Sequence, residues 1–185
     1  MRKIIILFLI SYLFPTVTDI DGNVYETILI GDQLWMAENL KVIHYNDGDE
    51  ILTGYSGSEW SWLDSGAYAV SPDDNNPSNA EIYGNLYNWY VVDDDRGVCP
   101  ENWHVPSDAE FTVLTDFLGG ESVAGGKMKE TGLEHWNSPN TGATNESGLM
   151  DSLLGTGHTI VIITSLWVTE DTFSLLLSPI IMPRD

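Results

Sequence analysis

The chain has 185 residues and a mass of 20.5 kDa, and its 28 acidic residues against 7 Lys and Arg give a net charge of −21. This length suits one domain, and 43% hydrophobic residues with 11% aromatics suffice for a core, which excludes wholesale disorder. A pI near 4.1 leaves no basic footprint for phosphate backbones or anionic lipids. Nucleic acid is therefore excluded, and the fitting partners are neutral or cationic: a polysaccharide, a metal ion or another protein.

Residues 1–15 read as a secretory signal. Arg2 and Lys3 precede an apolar run over residues 4–14, broken only by Ser11 and Tyr12, which is too short to span a bilayer. The expectation is export, to the outside or the surface of a bacterial cell, with no transmembrane span. Next, Asp19-Ile20-Asp21-Gly22-Asn23 has the opening of a calcium loop, but the later glutamate and the flanking helices are missing, so a turn between strands is expected. Residues 24–30 and 33–39 carry β-branched and aromatic side chains around Gly31-Asp32, which predicts a hairpin.

Residues 44–79 are rich in Gly, Ser, Asp, Asn and Pro, with Trp60, Trp62 and Tyr68 interspersed. Long loops pinned by aromatics are expected, and these three are the candidate ligand-binding side chains. Residues 73–77 (DDNNP) read as a turn. Asn79 is placed as the cap of a helix over residues 80–92, with Ile82, Leu86, Trp89 and Tyr90 on its packed face. Asp93 and Asp95, in the acidic run after that helix, are the candidate metal ligands, because negative charge at a helix C-terminus opposes the dipole. The lone Cys99 excludes an intrachain disulfide and a cysteine zinc site, and reads as a buried apolar residue. Ser107-Asp108-Ala109-Glu110 is a capping box opening a helix with Phe111, Leu114 and Leu118 on one stripe, closed by Gly119-Gly120.

These segments form an ordered series: DIDGNVY at 19–25, IGDQLWMAENLK at 30–41, YGNLYNWY at 83–90, CPENWHVPSDAEF at 99–111, GKMK at 126–129, Trp136, and NTGATNESG at 140–148. The series resembles the Fibrobacter succinogenes major paralogous domain, whose members are typically exported and often lipid-anchored. The WHVPSDAE stretch is similar to one in formylglycine-generating-enzyme domains, which have a C-type-lectin-like fold. The resemblance therefore implies an α+β fold: a small C-type-lectin-like domain with two main helices and curled antiparallel strands. It carries over no catalytic residue, and the cysteines needed for copper and oxygen chemistry are absent, so the expectation is a non-catalytic domain binding carbohydrate or protein. A calcium-stabilised structural domain is the alternative, with an enzyme of unknown reaction last. Among the histidines, His44, His104, His135 and His158, no Ser-His-Asp order or H-E-x-x-H pattern appears.

The series covers residues 16–149 and lapses over 150–185. Reading each third base with the next two, Met150 and Asp151 force a glycine codon, and the following junctions permit Leu, Pro, Ala, Gly, Tyr and Arg. Trp167 and Val168 force another glycine, and the junctions over 169–178 permit GGYFFSSTE. Both strings are similar to motifs the resemblance leads one to expect there. A single-base deletion near codon 150, in the gene or in its sequencing, is therefore expected to have replaced the C-terminal strands with an out-of-frame tail. The apolar run over 160–168 remains strand-like in composition.

Overall fold

Thr16–Thr18 (β1), Val24–Ile30 (β2) and Gln33–Met36 (β3) form a three-stranded antiparallel sheet in that order. The structure is a computed structural model and describes residues 15–70, 78–149 and 182–183. The signal-like run, the 73–77 turn and the strand-like run over 160–168 lie outside the described residues. Gly31 opens the two-residue hairpin loop at φ +63°, a left-handed value that a glycine-first primed turn requires. The Phe117 ring lies over this glycine, 3.0 Å from where a Cβ would stand.

The period-two alternation of the hairpin separates two cores. Ile28 pairs across the strands with Trp35, and both face a cluster with Ile30, Phe111, Leu114, Leu118, Met128 and Leu149. Thr27 pairs with Met36 on the opposite face, where Tyr25 and Met36 join Leu40, Val42, Tyr45, Tyr87, Val91 and Trp103. Cys99 is buried there too, outside any disulfide.

The second hairpin strand stops at Met36 rather than reaching residue 39. The chain leaves the sheet because its backbone is taken elsewhere. Asn85 N donates to Leu40 O, and Asn39 Nδ2 donates to Tyr83 O.

Those same contacts overturn the helix expected over residues 80–92. After the short helix Gly57–Trp60 (α1) and the strand Tyr68–Val70 (β4), the chain forms Asn79–Tyr83 (α2), Asn85–Tyr87 (β5) and Trp89–Val92 (α3) in place of one helix. Gly84 breaks it at φ +68° and ψ −166°. A Cβ there would stand 2.6 Å from Asn39 Cβ and 2.7 Å from Leu40 O, so the backbones meet where only glycine fits. β5 pairs with β4, Tyr68 against Tyr87. Ile82, Trp89 and Tyr90, expected on a packed face, are exposed instead.

The capping-box helix forms as expected, over Asp108–Phe117 (α4). Ser107 accepts from Glu110 N, while the Glu110 side chain reaches back to Ser107 N. Phe111 and Leu114 are buried on it. A further helix, Glu121–Met128 (α5), follows Gly119-Gly120. Its last carbonyls, of Gly126, Lys127 and Lys129 just beyond, accept from the N–H groups of Thr144, Ser147 and Asn145. Trp103–His104 (β6) pairs antiparallel with Met182–Pro183 (β7). The described residues are thus α+β with five helices, rather than two main ones, and antiparallel pairs throughout the named strands.

Candidate functional site

The loop resembling a calcium site is a saturated turn. Asp19 Oδ1 accepts from the N–H groups of Asp21 and Asn23 at 3.0 and 2.9 Å. Its Oδ2 accepts from Asn23 Nδ2 at 2.8 Å and from the Tyr25 hydroxyl at 2.6 Å. Burial, with the Asp19 carboxylate beside it, pushes the Tyr25 hydroxyl far up, so it stays a donor. Asp21 is likewise engaged, accepting from Ile43 N and lying 2.5 Å from His44 Nδ1. These oxygens are spent on tying the turn to residues 43–44, whereas calcium takes six to eight oxygens turned toward one point.

The WHVPSDAE motif also closes on itself. Glu110 Oε1 lies 2.9 Å from His104 Nε2, and its Oε2 accepts from the Ser107 N–H and hydroxyl, each at 2.6 Å. Partial burial raises the Glu110 carboxyl, but these donors outweigh it and hold the group below the usual carboxylate range. The carboxylate stands between the serine and the histidine, so the imidazole has no path to the serine proton. That is the wrong order for an activated nucleophile. His135 Nδ1 lies 2.8 Å from Glu130 Oε2, with its ring edge-on to Tyr83. His158 lies outside the described residues.

In the acidic run, Arg96 engages Asp94, the residue between the candidate metal ligands Asp93 and Asp95. Arg96 forks onto Asp94 through Nε and Nη2 at 2.8 and 2.7 Å, and reaches Asp49 at 3.0 Å. The Arg96 hydrogen bonds bring the Asp94 carboxyl down to about 2. The guanidinium also lies over the Tyr45 ring, 3.7 Å from its centroid. Asp93 and Asp95 are exposed, and α3 before them is one turn long, so its dipole is slight. Among the described residues, no group of three or more His, Cys, Asp or Glu gathers where it could hold a metal.

The three aromatic candidates separate sharply. Tyr68 packs on the core, its ring 6.4 Å from that of Tyr87. Trp60 is half-buried at the end of α1, a single turn fixed by the Ser56–Glu59 capping box. Trp62 is 87% exposed. The segment after it is anchored rather than loose. Asn88, itself buried, donates from Nδ2 to Ser65 O at 2.8 Å and accepts at Oδ1 from Ala67 N at 3.1 Å. Asn88 also caps α3, so the residues following Trp62 and the start of that helix are held together. Trp89 and Tyr90, 47% and 45% exposed, follow directly. The sequence reading missed them as surface aromatics because it placed them on the packed side of a helix that does not form. The glycine in YGN was the available signal.

No curated protein and no solved structure matches the chain. The description Fibrobacter succinogenes major domain matches residues 28–169, more than half of the chain. That span takes in the hairpin from Ile28 onward, the Asn85 and Asn88 anchors and the His104–Glu110 pair. The chain belongs to the Fibrobacter succinogenes major domain family.

Proposed function

We propose that this domain is an exported, non-catalytic binding module, working outside the cell or on its surface, that holds carbohydrate against the aromatic side chains of its loop face. Trp62 is the principal contact, and its exposure is the observation that carries the reading. A Trp side chain offers roughly 150–250 Å² of surface. At about 25 cal/mol per Å², leaving it in water forgoes about 4 kcal/mol of burial free energy, which a sugar face stacked on the indole recovers in part. The internal use of Asp19, Glu110 and Ser107 supports a role without catalysis, since the polar groups of the motifs are spent on turns and caps. The short antiparallel pairs, and the packing of α4 and α5 on the Trp35 face of the hairpin, support a C-type-lectin-like arrangement. Affinity electrophoresis through a panel of soluble polysaccharides tests the reading. Retardation by at least one polymer, lost in Trp62→Ala, is expected. Unretarded migration through the whole panel overturns it.

We further infer that residues 150–185 are the out-of-frame remnant of the domain's closing strands. The two forced glycine codons support this, in register with the motifs expected there. The family match continues to residue 169, into this tail, so the codons themselves are the test. Coding DNA whose shifted reading lacks both motifs refutes the deletion.

A further inference from the structure

The sequence holds two Asp-Gly peptides, Asp21-Gly22 and Asp47-Gly48. In such a peptide the glycine amide can attack the preceding carboxyl, because no Cβ hinders ring closure and the backbone turns freely. The two glycines are matched. Their φ values are +82° and +93°, and neither has an atom within 4 Å of where a Cβ would stand. Each amide donates one turn hydrogen bond, Gly22 N to Asp19 O at 3.1 Å and Gly48 N to Tyr45 O at 2.9 Å. The carboxylates are not matched. The Asp21 side chain is 16% exposed, and both its oxygens are held by another stretch of chain, Oδ1 by His44 Nδ1 at 2.5 Å and Oδ2 by Ile43 N at 2.6 Å. Asp47 is exposed, and its carboxylate accepts from its own turn alone, at Asp49 N, 3.0 Å away.

We propose that Asp47 is a site of spontaneous isoaspartate formation, while the contacts to Ile43 and His44 protect Asp21. The Gly48 nitrogen bonds to Asp47 Cγ, and the amide proton leaves with the carboxyl hydroxyl as water, giving a succinimide. Water then reopens the ring. Opening at the α-carbonyl leaves Gly48 attached through Cγ, so the main chain gains one carbon. That carbon enters a turn closed by Tyr45 N donating to Asp49 O at 2.9 Å, the turn that presents Asp49 to Arg96. The modification therefore loosens the contact between this turn and Arg96.

The test holds the full chain at neutral pH, below its melting temperature, until a free peptide with the sequence of residues 44–51 has largely isomerised. Isoaspartate has the mass of aspartate, so peptide mapping with electron-transfer fragmentation locates it. Residue 47 is expected to carry about tenfold more isoaspartate than residue 21, the ratio that one further hydrogen bond to a charged group gives. Asp47→Glu, whose longer side chain closes the ring poorly, should carry no modification there and should melt above the aged parent. His44→Ala, compared in its folded state, should raise the yield at residue 21 severalfold and leave residue 47 unchanged. No isoaspartate at residue 47 once the peptide has converted overturns the proposal. Equal yields at residues 21 and 47 also overturn it, because the dipeptide and not the fold then sets the chemistry. An unchanged yield at residue 21 in His44→Ala overturns the protection by His44.

Discussion

Replacing Asn88 by alanine tests whether the buried polar residues of the family motif hold the loops in place. The change removes the Oδ1 acceptor from the N–H of Ala67, a residue with no exposed surface, and the Nδ2 bond to Ser65 O. A buried donor left without an acceptor costs about 1–3 kcal/mol. Loss of the N-cap to Val91 adds about 0.5–1 kcal/mol, at the low end of the usual range because Val91 N keeps its bond to Asn88 O at 3.1 Å. The Ser65 carbonyl belongs to an exposed residue and is rehydrated at small cost. The sum is about 1.5–4 kcal/mol, or roughly 3–16 °C in melting temperature for a chain of this size. Urea unfolding followed by tryptophan fluorescence measures it, with an unchanged slope showing that the loss lies in stability. Asn88→Ser, which keeps a capping oxygen, should recover about 1 kcal/mol. A loss below about 0.5 kcal/mol in Asn88→Ala would refute the anchoring role.

Gly84→Ala should destabilise by about 2 kcal/mol or more, since its Cβ meets Asn39 and Leu40 O at a left-handed φ; a melting temperature within 2 °C of the parent contradicts this. The Glu110 carboxyl is held below its unfolded value, so its contribution is complete above about pH 4.3 and is lost as pH falls through the folded value. The stability gap between the parent and Glu110→Gln should thus be widest near pH 7 and narrow as pH falls below about 4.3; a gap independent of pH refutes the linkage. The Asp19 carboxylate is saturated by protein donors, so millimolar calcium in place of chelator should leave the melting temperature unchanged; a rise of several degrees would show a calcium site. Trp62→Ala should change stability by no more than about 0.5 kcal/mol, as an exposed side chain does.

The features legible in the sequence were those set by neighbouring residues. Gly31-Asp32 between two β-rich runs specified the hairpin, and Ser107 with Glu110 specified the start of α4. What stayed illegible depends on partners far along the chain. Ile82, Leu86, Trp89 and Tyr90 have helical spacing, but the backbone between them bonds to Asn39 and Leu40, and no local pattern announces that pairing. α5 carries Gly125 and Gly126 and little amphipathic signal; its end is organised by the N–H groups of residues 144–147. Sequence spacing could not separate Trp60 from Trp62, two residues apart, of which one is half-buried and the other stands in solvent. The His104–Glu110 contact was missed although the capping box had already fixed the Glu110 side chain beside Ser107.

The central claim is that the aromatic loop face binds carbohydrate while the polar motif residues serve the fold. Affinity electrophoresis of the parent, Trp62→Ala and His104→Ala on the same polysaccharide addresses it directly. The account predicts that Trp62→Ala loses retardation at unchanged stability, while His104→Ala, compared below its melting temperature, keeps it. Retardation that survives in Trp62→Ala and disappears in folded His104→Ala would contradict the account and move the site to the WHVPSDAE motif.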